Sequence, residues 1–160
     1  VPGHQAHPHG SPAGRVAARS FAVVACRRMR TRDDIEAYLT RAGLPFREIA
    51  EDGTMWLVRD TGWGEHVVVT LAGPLVLFRM KITTLAEVDR HPEFFKTLLE
   101  MNARDMIHGA YGISDGEVVL TGTLRMENLD YNEFQGTFDD FSLALSNHLD
   151  TLRGFAKSNS

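Results

Sequence analysis

The chain has 160 residues, which suits one domain that buries roughly two-thirds of its unfolded surface without disulfides or metal staples. Its single cysteine, Cys26, excludes an intramolecular disulfide framework and fits a reducing compartment such as the cytoplasm. Residues 1–32 carry six arginines and no acid, whereas the remainder carries 21 acids against 11 bases, or −10. This acidic body argues against nucleic-acid binding and leaves basic, or basic and apolar, partners open. No apolar run approaches the roughly 20 residues that span a bilayer, so we expect a soluble body without a membrane partner.

The N-terminal segment is rich in Gly, Pro, His, Ala and Arg and lacks an apolar period, so we expect residues 1–29 to form a disordered basic leader. Residues 21–26 are too short for a secretory core. Three histidines (His4, His7 and His9) could gather around a metal, but we interpret them as a polar tail. Met29 precedes the first helix signal, and we hypothesise that the natural protein begins there. Peptides from residues 1–28 on protein purified from its native cell would contradict this hypothesis.

A first helix is predicted from Thr31, because a hydroxyl at the N-cap is followed three residues later by the carboxylate of Asp34. Gly43 ends it. Four extended runs follow, at residues 46–51, 54–60, 65–72 and 75–82, and Asp52-Gly53 predicts a hairpin turn between the first two. One of these runs could merge with another or be absent from the sheet.

The run at residues 75–82 alternates strictly between two faces. Val76, Phe78, Met80 and Ile82 share one face, and Leu75, Leu77, Arg79 and Lys81 share the other. The first face is therefore predicted to be covered by helices.

The second half of the chain predicts a helix that begins at His91 and ends at Gly109, a hairpin with its turn at Asp115-Gly116, and a long helix that begins near Asp130. We therefore expect an α+β domain over residues 30–156. It has an antiparallel β-sheet of about five strands and three helices in the order α-β-β-β-α-β-β-α, and residues 157–160 form a tail.

No recognisable catalytic motif is present. The sequence lacks the nucleophile elbow, the phosphate-binding loop, the HExxH motif and a CxxC pair. Asp139 and Asp140 are neighbours on a helix, so their side chains diverge and we interpret them as a solvated face. The body's histidines occur singly, without a second ligand at helical or hairpin spacing (His66, His91, His108 and His148). We expect no catalytic residues, no metal site and no cofactor.

What remains is surface for binding another chain. Trp63 lies in a Gly-flanked loop, where its ring either faces solvent or folds onto the core. If helices cover only one side of the sheet, Leu75, Leu77 and Val119 form an apolar strip on the other side. We predict these four residues as the partner-binding site. A loop or a second copy of the protein could also cover the strip, and of these two we favour self-association.

Four segments carry a resemblance to a known family. They are TRDDIEAYL at residues 31–39, IAEDGTMWLV at 49–58, LLEMN at 98–102 and YGISDGEVVL at 111–120. With the order of elements, they resemble the YbjN family of proposed bacterial sensory transduction regulators, which has the type III secretion chaperone-like fold. The similarity covers about residues 30–156.

The resemblance implies a protein that is not an enzyme, similar to small acidic dimeric chaperones that hold an extended stretch of a partner. We therefore predict a cytoplasmic, homodimeric, chaperone-like or regulatory adaptor for an unidentified protein. The alternative is a small-ligand sensor or an enzyme whose site lies between sheet and helix. An exposed apolar strip on the sheet would favour the first prediction, and a concave pocket with convergent polar groups would favour the second.

Overall fold

The computed structural model describes residues 28–59 and 66–158. Residues 1–27, which hold most of the expected leader, and the loop that carries Trp63 lie outside the described residues. The chain is already attached to the body at its first described residues. Met29 forms an antiparallel bridge with Glu127, and the carbonyl of Arg28 accepts a 2.9 Å hydrogen bond from the backbone N–H of Asn128. Residues 28 and 29 are thus part of the folded body, although we expected the leader to extend to residue 29.

The fold is α+β, as expected, with three α-helices and one antiparallel sheet. The elements are α1 (Arg32–Arg41), β1 (Phe46–Glu48), β2 (Met55–Arg59), β3 (His66–Ala72), β4 (Leu75–Thr84), α2 (His91–Arg104), β5 (Gly109–Ser114), β6 (Glu117–Arg125) and α3 (Tyr131–Arg153), with a short 3-10 turn at Leu85–Glu87. The strand order is β1-β2-β3-β4-β6-β5. The sheet has six strands rather than about five, because each of the four extended runs after α1 forms its own strand.

Local signals explain most of the helix ends. Thr31 caps α1 and Asp130 caps α3, each through a reciprocal capping box that satisfies free backbone N–H groups. The predicted end of α2 at Gly109 was wrong, because α2 ends at Arg104 and Gly109 begins β5. Gly109 is required by packing instead. A Cβ there would lie 3.0 Å from the carbonyl of Thr121 and 3.1 Å from the ring of Phe141.

Helices α1 and α3 pack on one face of the sheet, and α2 lies against its β5 edge. The ring of Phe78 on β4 lies 5.4 Å from that of Phe134 on α3. The indole N–H of Trp56 on β2 donates a 3.0 Å hydrogen bond to Glu36 on α1. Asn102 on α2 accepts from the backbone N–H of Tyr111 on β5 at 2.7 Å and donates to its carbonyl at 3.0 Å. No helix in the described part of the chain covers the opposite face, which carries the candidate site.

Candidate partner-binding surface

The candidate site is the face of the sheet that points away from the helices, here called the open face. Alternation along the paired strands places every second residue on it. On β4 it carries Leu75, Leu77, Arg79 and Lys81, whereas Val76, Phe78 and Met80 are buried beneath the helices, with at most 1% of each exposed. The predicted division of this strand into two faces is therefore confirmed.

The predicted strip occupies part of the open face. Leu75 and Leu77 are both half-buried and lie two residues apart on β4. Leu77 faces Thr70 on β3 and Thr123 on β6. Val119 lies farther along the same face, opposite Lys81, but only 3% of it is exposed. Leu75 and Leu77 thus offer surface to another chain, and Val119 forms part of the floor.

Other apolar residues extend the strip across neighbouring strands. Met55 pairs with Thr70, which itself pairs with Leu77, so these three side chains form one row across the sheet. Leu57 and Val68 form the next row. We call Met55, Leu57, Val68, Leu75 and Leu77 the apolar centre, and each of them is half-buried.

Basic residues surround the apolar centre. Arg47 lies opposite Leu57 across the β1–β2 pair, and Arg125 lies opposite Leu75 across the β4–β6 pair. Arg59 follows Leu57 by two residues on β2, so it shares the same face. A shallow depression of about 270 Å³ lies here and is lined by Arg47, Arg59, Leu57 and three neighbours (Pro45, Phe46 and His66). The sheet therefore carries cations next to both ends of its exposed apolar surface.

One acidic residue lies among these cations. Glu117 forms ion pairs with two of them. Its carboxylate oxygens lie 2.8 Å from Nζ of Lys81 and 3.4 Å from a guanidinium nitrogen of Arg79. The hydrogen bond from the Lys81 ammonium holds the pKa of the Glu117 carboxyl below its ordinary value, and the charges of Lys81 and Arg79 act in the same direction. Arg79 and Lys81 are thus partly neutralised. Arg47, Arg59 and Arg125 form no ion pair with any part of the chain that the structure describes.

The two edges of the sheet differ in how they resist pairing with another strand. β1 has only three residues, follows Pro45 and carries the charges of Arg47 and Glu48, features that discourage pairing. β5 has six residues, GAYGIS, without charge or proline. Beside β5, an apolar groove of about 260 Å³ lies against α2 and is lined mainly by Phe95, Leu98, Leu99, Asn102, Tyr111 and Ile113. We call it the edge groove.

The edge groove has prominent apolar side chains at its margin. Leu99 is 68% exposed and Ile113 is 49% exposed, although both are large aliphatic residues. The sequence interpretation missed this groove. The signal was present, because Leu99 directly follows the buried Leu98 on α2 and so points away from the helix stripe. What the sequence could not show is that α2 lies beside β5 and that β5 is an edge strand.

A buried polar chain fixes the helices near this edge. His148 on α3 is only 4% exposed, its Nδ1 lies 3.0 Å from the hydroxyl of Tyr111, and its Nε2 lies 3.1 Å from a carboxylate oxygen of Asp105. Because a carboxylate only accepts, Nε2 carries the hydrogen, and in the neutral imidazole Tyr111 donates to Nδ1. Burial, with a smaller contribution from the charge of Asp105, raises the pKa of Tyr111 to about 12. This cluster joins α2, β5 and α3.

Two other residues considered in the sequence analysis are Trp63 and Asp140. Trp63 lies outside the described residues. A carboxylate oxygen of Asp140 hydrogen-bonds to Nδ1 of His108, so Asp140 has a tertiary partner and is not simply part of the solvated face that we expected. In the described part of the chain, no helix is long and apolar enough to cross a membrane.

Comparison with known proteins agrees with this geometry. No curated protein sequence matches the chain. Several solved structures share its fold, among them YbjN and ExsC. YbjN from E. coli, a proposed transcription regulator, has a TM-score of 0.59 at 14% identity, with 82% of this chain and 99% of YbjN covered. The ExsC structure determined in complex with ExsE has a TM-score of 0.56 at 17% identity, with 82% and 100% covered.

These similarities confirm the YbjN-like, type III secretion chaperone-like fold that the sequence resemblance implied. At these identities they establish the fold alone. The sequence profile of the CesT_Tir_1 family matches residues 28–158, most of the chain. The chain therefore belongs to the CesT_Tir_1 family.

Proposed function

We propose that the protein is a non-catalytic, cytoplasmic, chaperone-like or regulatory adaptor that holds an extended segment of another protein on the open face. The observation that carries this proposal is the one-sided sheet. Its apolar centre (Met55, Leu57, Val68, Leu75 and Leu77) stays half-exposed while the opposite face is covered by helices. An exposed apolar surface of this kind is characteristic of sites that bind other chains.

The relatives support the same proposal. ExsC was crystallised as a complex with ExsE, so at least one protein with this fold binds another protein. An extended segment needs only apolar contacts and main-chain hydrogen bonds for affinity, and these require no reaction centre. The single cysteine in the sequence, Cys26, fits a reducing compartment.

The test is a pull-down from the native cell that compares the wild type with Leu75→Asp plus Leu77→Asp. We expect the doubly substituted protein to fold and to lose its partner, because two charges then lie in the apolar centre. Leu143→Asp is the matched control, since Leu143 is an exposed leucine on α3 outside the open face. If the double variant folds and keeps every partner, the proposed surface is wrong.

We further propose that the protein forms a homodimer through the edge groove. Asn102 already occupies the outward-facing backbone N–H and C=O of Tyr111, so the two copies would meet through the exposed apolar side chains beside β5 and not by strand pairing. A two-fold axis beside this strand would place Leu99 and Ile113 of each copy near the groove of the other. This arrangement leaves the open face free for a partner, so self-association and partner binding use different surfaces.

Light scattering coupled to size exclusion tests the dimer. We expect Leu99→Glu plus Ile113→Glu to give a folded monomer, because like charges would then face each other across the interface. Leu143→Glu plus Ile107→Glu changes two similarly exposed apolar residues outside the edge groove and should leave the mass unchanged. A wild type that is monomeric at high concentration, or an equal loss of mass in both variants, would contradict the proposed interface.

A further inference from the structure

The charged residues on the open face differ in sign from the rest of the body. The described strands place five cations on this face (Arg47, Arg59, Arg79, Lys81 and Arg125) and a single acid, Glu117. By contrast, the sequence beyond residue 32 carries −10. The local charge at the apolar centre is therefore opposite to the overall charge of the body.

Two of the cations lie directly opposite leucines of the apolar centre. Leu57 has Arg47 directly across the sheet, and Leu75 has Arg125 directly across it. Side chains at directly paired positions lie about 5 Å apart at their Cβ atoms, so each guanidinium reaches any group seated on the neighbouring leucine. A segment that covers the leucines therefore meets the arginines as well.

The side chains of three of these arginines have no partner among the described residues. Arg47, Arg59 and Arg125 are exposed, and none of them forms an ion pair with the residues that the structure describes. Elsewhere Arg32 is held by both Glu36 and Glu48, at 2.7 and 2.6 Å. Arginine forms planar, bidentate pairs with carboxylates, which gives geometric specificity as well as energy.

We propose that the segment held on the open face is acidic and amphipathic, with aliphatic residues that contact the apolar centre and carboxylates that pair with Arg47, Arg59 and Arg125. This inference rests on the proposed function and names the chemistry of its partner. Charge excludes two other occupants. The chain's own residues 1–27 hold three arginines and no acid and would be repelled, and a second copy docked face to face would oppose cation to cation.

Nucleic acid fits this surface less well than an acidic peptide. Binding of single strands relies on aromatic platforms that stack bases, and the apolar centre is made of leucine, valine and methionine. Duplex binding relies on contacts to many phosphates, and such contacts would bring the backbone close to a body of charge −10. The half-exposed leucines instead match apolar side chains.

The probe is a labelled synthetic peptide in which leucine or valine alternates with glutamate. Two matched peptides replace every glutamate with glutamine or with lysine. Fluorescence anisotropy measures binding to the full chain at low and high salt. We expect the glutamate peptide to bind at least about tenfold more tightly than the lysine peptide, with a preference that shrinks as salt screens the charges.

A charge-reversed protein tests the assigned residues. In Arg47→Glu plus Arg59→Glu plus Arg125→Glu, the preference should invert toward the lysine peptide. The control makes three equal charge changes outside the strands (Lys96→Glu, Arg104→Glu and Lys157→Glu) and should keep the original preference. A variant that replaces the same three arginines with glutamine removes their charges without reversing them and so disturbs the protein less. Circular dichroism verifies that each variant is folded.

The outcomes separate this inference from the proposed function. Equal binding of the three peptides, binding of none of them, or an equal effect of the control triple would overturn the acidic-segment assignment. A duplex oligonucleotide that binds more tightly than the glutamate peptide and is lost in the reversed variant would overturn it too. The adaptor proposal would still stand if the wild type captured a partner that Leu75→Asp plus Leu77→Asp did not.

Discussion

Truncating two neighbouring residues on β4 tests whether the sheet is covered on one side only. Phe78 is 1% exposed, and its ring lies 5.4 Å from that of Phe134 and 5.5 Å from that of Phe138. Removing such a buried ring costs about 3–5 kcal/mol through lost transfer energy and the cavity left behind. Leu77 is half-buried on the open face, so Leu77→Ala should cost about 1 kcal/mol, because only part of its transfer energy is realised.

Urea denaturation followed by circular dichroism measures the difference. With an m-value of about 2 kcal/mol/M, the midpoint should fall by about 2 M for Phe78→Ala and by about 0.5 M for Leu77→Ala. Equal losses would refute the one-sided sheet, because they would mean that Leu77 is as tightly packed as Phe78. Repeating both titrations over a range of protein concentrations detects burial of Leu77 by a second copy, since the difference in midpoint between the wild type and Leu77→Ala would then grow with concentration.

Three further predictions concern the elements that support the site. The pKa of Tyr111 is raised from 10 to about 12 in the folded protein. The hydroxyl is neutral in both states below pH 10, and as the pH rises from 10 to 12 the free energy of unfolding should fall by roughly 2–3 kcal/mol. Tyr111→Phe should flatten that decline in urea titrations at alkaline pH, and an unchanged slope would contradict the assignment. Gly122→Val should lower the free energy of unfolding by about 1–3 kcal/mol, because a Cβ there already lies 3.4 Å from Phe141. The control in thermal melts is Gly112→Val, because no atom lies within 4 Å of a Cβ at that position. Asp130→Ala should cost about 1 kcal/mol by removing the α3 cap, measured by chemical denaturation, and a loss below about 0.3 kcal/mol would show that the cap is dispensable.

The alternation along β4 predicted the open face correctly because a strand has a period of two, so one register decides the direction of every side chain. The end of α2 was predicted less well. Gly109 looked like a helix stop, but it serves the close approach of β5 to Phe141. Glycine ends helices and also allows close packing, and only the tertiary contact distinguishes the two uses.

The net charge of the body is another property whose meaning depends on tertiary contacts. The sum over the body, −10, left basic partners open, whereas the strand pairing places five cations around the apolar centre. Arg47, Arg59 and Arg125 belong to three different strands, and no local pattern in the sequence links them. A net charge sums over all faces, so it cannot locate a patch of opposite sign on one of them.

By itself the sequence determined the three helices and the extended runs between them, the caps at Thr31 and Asp130, and the two faces of β4. Each of these depends on residues a few positions apart, whose periodicity and hydrogen bonding are local. Tertiary structure alone decided that α1 and α3 share one face, that β1 and β5 are the edges, and that arginines from distant strands meet at the leucines. These features arise from pairing between residues far apart in the chain, and such pairing is set by the free energy of the whole packed domain.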